Sequence, residues 1–129
     1  MNTEAFGCAN CWPASADSAW DAFLSLSIDA RLVDESHFTV IIRSCAKCRQ
    51  RFVSVFTETI DWADGEDPQF WTVLPITEQE VATLSQAGSA LTSALDTLAP
   101  QRRSLRRDFP KGENPTEYWS SGISVGLHD

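Results

Sequence analysis

Long apolar runs are missing from this chain: no stretch approaches the roughly 20 residues that a bilayer-spanning helix needs. Its opening stretch, MNTEAFGCANCWP, has neither the basic n-region nor the apolar h-region of a secretory leader. Both absences predict a cytoplasmic protein with no membrane partner. Positive charge is in short supply, with 10 Lys and Arg against 18 Asp and Glu and a formal net charge of -8. That balance suits a polyanionic partner poorly unless the charge is strongly divided over the surface. Histidine occurs only as His37 and His128, neither in a local pattern that pairs a nucleophile with a base or offers an open metal site. H-E-x-x-H, G-x-S-x-G and a phosphate-cradling glycine loop are all absent, so the chain is expected not to be an enzyme.

What is present points to a packed domain. Hydrophobic residues make up 43% of the 129, with 5 Trp and 7 Phe, which excludes a disordered acidic chain. A chain of this length buries about two-thirds of the surface its unfolded form exposes, so one domain over 1–129 folds without staples. Its cysteines are therefore not forced by small size.

Those cysteines number 4 and come as two pairs of equal spacing, Cys8 and Cys11 in GCANC, Cys45 and Cys48 in SCAKC. A metal, two disulfides or a redox pair would each use such a pattern. Structural disulfides are uncommon in a reducing cytoplasm, and a bridge across two residues constrains little of the unfolded chain. A redox pair needs a helix N-terminus after it to lower the thiol pKa. The segment after Cys48, RQRFVSVFTETIDW, instead alternates with period two and reads as a strand. HFTVIIRSC enters the second pair as another strand, which places Cys45 and Cys48 at the tip of a β-hairpin. A second pair beside it completes a tetrahedral four-thiolate site with no open position, the arrangement of a structural Zn2+. Iron, redox or disulfide roles and cysteines that merely pack remain the competing readings.

On these residues the chain resembles a zinc ribbon, in which two Cys-x-x-Cys knuckles clamp one zinc and at least one tops a β-hairpin. The resemblance covers roughly residues 5 to 62. Ribbons commonly place glycine after the second cysteine of a knuckle, where a left-handed backbone is wanted; here Trp12 and Arg49 stand there. The 33 residues between the pairs exceed what a minimal ribbon needs and imply an insertion.

Within that insertion, PASADSAWDAFLSLSID offers Ser15 or Asp17 as N-cap and Trp20, Phe23 and Leu24 at helical spacing. The expectation is a short helix from about 16 to 23, then a hairpin whose second strand leads to Cys45. After the cysteine hairpin, DWADGEDPQFWTVLP reads as a turn followed by a strand. Asp61, Asp64, Glu66 and Asp67 do not meet calcium-loop spacing and are read as a solvated acidic turn and as candidate contacts to a protein partner. PITEQEVATLSQAGSALTSALDTLAP carries a capping box at Thr77 and Glu80, then Leu84, Leu91, Leu95 and Leu98 along one face until Pro100. It predicts one helix from about 78 to 98. The last segment opens with Arg102, Arg103, Arg106 and Arg107 and passes to Tyr118, Trp119, Ile123 and Leu127, which are apolar enough to dock back on the domain.

The expected fold class is α+β: a β-hairpin zinc-ribbon-like core with added strands, packed against one long C-terminal helix. Residues 1–76 form the zinc-bearing β-rich part, 77–99 the amphipathic helix and 100–129 a basic, then aromatic tail. The expected function is a non-catalytic zinc-binding protein acting as a protein-interaction module, such as an inhibitor or immunity-type protein that neutralises a basic partner. The alternative is nucleic-acid association through the arginine cluster, since zinc ribbons often occur in nucleic-acid machinery. The simpler role for those arginines is to complement the chain's own carboxylates or the end of the preceding helix.

Overall fold

In the computed structural model, residues 5–128 are described. They form a six-stranded sheet in the order β1-β2-β3-β4-β5-β6, every neighbouring pair antiparallel. The strands are β1 Ser27–Glu35, β2 Phe38–Ser44, β3 Arg51–Glu58, β4 Gln69–Ile76, β5 Arg103–Phe109 and β6 Thr116–Ser121. Helix α1, Ala16–Phe23, precedes the sheet; α2, Glu78–Ser85, and α3, Leu91–Thr97, lie between β4 and β5.

Strand alternation sorts the side chains into two cores, one on each face. Val40, Ile42, Val53, Val55, Leu74 and Ile76 face α2 and α3, meeting Leu84, Leu91 and Leu95. Phe52, Val73 and Leu105 face the other way, meeting Trp20 and Phe23 of α1 together with Cys11 and Cys45. Cys11 and Cys45 thus belong to this core, with Cys8 half-buried against it and Cys48 exposed. Helix α1 begins where Ser15 Oγ accepts from Ser18 N–H, and α2 carries the full Thr77–Glu80 capping box.

Three expectations are corrected. The predicted single helix over 78–98 is two helices joined by a 3-10 turn at Gly88–Ala90, with Gly88 at φ +55. That left-handed residue ends the α-helical ladder, and the break lets Leu84 and the Leu91–Leu95 pair reach the same sheet. The segment expected as a tail supplies β5 and β6, so the ribbon-like hairpin is the middle of a six-stranded meander, β2 and β3, rather than a core with additions. Of the residues expected to dock back, Ile123 packs on the α2/α3 core and Trp119 on the α1 core, but Leu127 is 86% exposed. Among the described residues no helix is long and apolar enough to cross a membrane.

Candidate metal centre

The meander brings the β2–β3 turn to one end of the sheet, and the segment before α1 crosses that end. The two Cys-x-x-Cys loops meet there. Sγ–Sγ separations are 3.8 Å for Cys8–Cys11, 3.9 Å for Cys8–Cys45 and 3.7 Å for Cys11–Cys48, and all four sulfurs lie within 4.8 Å of one another. Zinc bound tetrahedrally at about 2.3 Å per sulfur requires sulfurs about 3.8 Å apart. A disulfide requires about 2.05 Å, and all four cysteines are free. Neither pair opens a helix: Cys48 is followed by β3 from Arg51, and α1 starts five residues after Cys11 at Ala16. The four cysteines are therefore positioned to bind a metal ion, and the donor set is the soft four-thiolate one that zinc or iron accepts.

The backbone of each loop is shaped to turn sulfurs inward. In the first loop Cys8 O accepts from the N–H groups of Cys11 (3.2 Å) and Trp12 (2.8 Å). In the second, Cys45 O accepts from Arg49 N–H at 2.9 Å, and Cys45 Sγ accepts from Lys47 N–H at 3.4 Å. Arg49 takes φ +66, the left-handed geometry that a ribbon usually gives to glycine. In the first loop glycine comes before the pair. Gly7 has φ +71, and a Cβ there would stand 2.9 Å from Cys11 Sγ and 2.8 Å from Trp12 Cβ.

Backbone N–H groups also tune the thiols. Those of Cys11 and Asn10 hold the Cys8 thiol down at about 6. At Cys45 burial acts upward, and the N–H groups of Cys48 and Lys47 outweigh it, lowering that thiol as well. Burial pushes Cys11 and Cys48 up. One thiol in each loop is thus shifted toward the thiolate, and a bound divalent cation would favour deprotonation of all four.

Gln50 was not singled out by sequence reasoning and ties the site together. Its Oε1 accepts from Gly7 N–H at 2.9 Å, and its Nε2 donates to Arg51 O at 2.8 Å and Ile76 O at 2.9 Å. One amide side chain therefore joins the first loop, the hairpin and β4. Nothing in local periodicity marks such a residue. Trp12 closes the site from the core side, its ring 5.5 Å from Phe52 and 4.9 Å from Trp119.

Arg102 and Arg103 lie at the same end, in the turn before β5 and at its start, whereas Arg106 and Arg107 lie mid-strand. Arg102 donates to Glu80 Oε1 at 2.7 Å and Pro75 O at 3.0 Å, and Arg107 lies 3.6 Å from Glu117 with its guanidinium over the Trp20 ring. Arg103 stacks over Trp119 at 3.9 Å, and Arg106 donates to Ser121 O at 3.1 Å. The acidic turn sits at the opposite end of the sheet. Asp61 accepts from the N–H groups of Ala63, Asp64 and Glu66, Asp67 accepts from Asp61 N–H at 2.7 Å, and Lys111 meets Asp61 at 3.0 Å and Asp64 at 2.8 Å. Lys111 and those N–H groups hold the Asp61 carboxyl below the usual range. Beside this turn Trp62 is 86% exposed, and a cavity of about 540 Å³ is lined by Glu58, Glu66, Asp67, Phe109 and Glu113.

In comparisons with known proteins, no family model, no curated protein and no solved structure matches this chain.

Proposed function

We propose that this chain is a non-catalytic zinc protein whose four-thiolate centre is structural, and that it acts as a protein-interaction module of the inhibitor or immunity type. The observation that carries the metal half is the sulfur geometry: nearest separations of 3.7–3.9 Å match a tetrahedral zinc site. Cys8 and Cys11 hold the N-terminal loop and Cys45 and Cys48 the hairpin, so the ion acts as a clasp. Four sulfurs fill its coordination and leave no position for substrate or water, which supports a structural role.

The interaction half is supported by the end of the sheet away from the cysteines. Exposed Trp62 lies beside Asp64 and Glu66, a large aromatic anchor next to acidic charge, as a basic protein surface would require. Nucleic acid is the second reading, because Arg102 and Arg107 already meet Glu80 and Glu117.

Native mass spectrometry with elemental analysis tests the metal. The expected result is one zinc per chain with four reduced thiols; a metal-free protein whose mass has fallen by the protons of one or two disulfides overturns it. Fluorescence anisotropy against oligonucleotides at low salt tests the order of the two roles. No binding is expected. Salt-dependent binding that disappears when Arg102, Arg103, Arg106 and Arg107 are all replaced by Ala would move the function to nucleic acid.

A further inference from the structure

The four sulfurs of the metal centre are not equally protected. Cys11 and Cys45 are 4% and 6% exposed and belong to the α1 core, with Cys8 half-buried against them. Cys48 is exposed, as are Ala46, Lys47 and Arg49 around it. A small oxidant arriving from solvent therefore meets one sulfur of the four first. Lys47 and Arg49 flank that residue with positive charge, which favours its thiolate and the hydroxide that leaves when it reacts.

A partner for an oxidised Cys48 is already in place. Cys11 Sγ lies 3.7 Å away, closer than the 3.8 Å of Cys8–Cys11 and the 3.9 Å of Cys8–Cys45. A disulfide needs about 2.05 Å, so these two sulfurs have only about 1.6 Å to close. Cys11 belongs to the N-terminal loop and Cys48 to the hairpin, 37 positions on. A bond between them ties the same two segments that an ion would clasp.

We propose that Cys48 is a peroxide-sensitive modification site, and that its oxidation exchanges the zinc clasp for a Cys11–Cys48 disulfide. This inference rests on the structural-zinc reading and goes beyond it. In the first step the Cys48 thiolate attacks hydrogen peroxide: an S–O bond forms, the O–O bond breaks, the sulfur gives up two electrons and hydroxide leaves. In the second, the Cys11 thiolate attacks the sulfur of the Cys48 sulfenic acid, an S–S bond forms, the S–O bond breaks and a second hydroxide leaves. Two protons from solvent turn both hydroxides into water. The remaining thiolates, Cys8 and Cys45, are too few for a structural site, so the ion is released. No helix N-terminus is required, because the chain is the target of the oxidant rather than a catalyst of disulfide exchange.

The connectivity decides what oxidation does to the fold. A bond within one loop, Cys8–Cys11 or Cys45–Cys48, would let the two loops part once the ion had gone. The Cys11–Cys48 bond keeps them together in covalent form.

The test treats the zinc-loaded full chain, prepared under reductant and then freed of it, with hydrogen peroxide while a chromogenic chelator follows released zinc. Trypsin cuts after Lys47, between Cys45 and Cys48, so disulfide mapping by mass spectrometry reads the connectivity, with fragmentation of the N-terminal peptide separating Cys8 from Cys11. The expected result is zinc release in step with a single Cys11–Cys48 disulfide, and recovery of zinc binding on addition of dithiothreitol. Cys48→His keeps a fourth zinc ligand without the exposed sulfur and should slow the release about tenfold or more. A zinc-loaded chain that keeps its ion under peroxide, a first disulfide at Cys8–Cys11 or Cys45–Cys48, or a zinc-loaded Cys48→His variant that releases as fast as the parent would each overturn this proposal and leave the zinc reading standing. A reduced chain that holds no zinc before peroxide is added would overturn the zinc reading, and this inference with it.

Discussion

At one end of the sheet four sulfurs from two distant segments converge; at the other, four carboxylates from one turn spread. The cysteine end joins residues 37 positions apart, Cys8 with Cys45 and Cys11 with Cys48, and between its two loops the described protein bonds include the single amide of Gln50. Its four cysteines are positioned to bind a metal ion, which would gather them as thiolates. The acidic end is local: Asp61 receives three N–H groups within five residues, and Lys111 adds a cation. A closure between distant segments needs a strong common ligand, whereas a turn closes through its own backbone. The two ends should therefore respond to different insults.

The largest difference is expected from Cys45→Ser, which removes one of the four ligands. Structural zinc contributes on the order of 10–16 kcal/mol in small zinc peptides, so losing even a third of that should lower Tm by more than about 10 °C in calorimetry. A variant that keeps both its metal and the parent Tm contradicts the clasp. Chelation of the parent should have the same effect, with little change at the Asp61 turn in hydrogen exchange.

Gly7→Ala comes next. It forces a side chain into a left-handed residue and against Cys11 Sγ, and should cost about 2–3 kcal/mol by urea titration while weakening metal affinity. An unchanged midpoint would mean that the loop before Cys8 adapts freely. Gln50→Ala removes the side chain that accepts from Gly7 N–H and donates to Arg51 O and Ile76 O, and should cost about 1–2 kcal/mol, with the loss concentrated in protection of the N-terminal loop.

The smallest effect belongs to the acidic end. The folded Asp61 carboxyl is depressed, so its stabilisation is fully present above the unfolded pKa and is lost as pH falls through the lower folded value. Asp61→Asn should flatten the stability profile below about pH 4 and leave zinc content at neutral pH unchanged. If acid stability is identical in the two proteins, the Lys111–Asp61 contact contributes nothing measurable.

How far the residues announce these features follows from the physics of each. Helix α1, the β2–β3 hairpin and strand β4 were legible because their apolar residues keep a clean period and their caps are local: Ser15 and Thr77 act within three residues of themselves. Strands β5 and β6 were not. In RSLRRDF the face toward α1 reads Arg103, Leu105, Arg107, since two of its positions cover tryptophan rings with guanidinium groups rather than with hydrocarbon. A hydropathy pattern cannot see an arginine used as an aromatic neighbour. Gly88 did offer a signal for the break between α2 and α3, but the leucine stripe on either side reads the same whether the helix is continuous or bent.

The sequence by itself determined the cysteine pairs, the hairpin that carries the second of them, the acid excess and the local caps, because these depend on residues close together along the chain. The tertiary structure alone decided that the two pairs meet, that Gln50 ties them to β4, and that the arginines divide between carboxylates, carbonyls and tryptophan rings. Each of those is a relation between segments far apart in sequence, and it exists only once the meander has fixed which strand lies beside which.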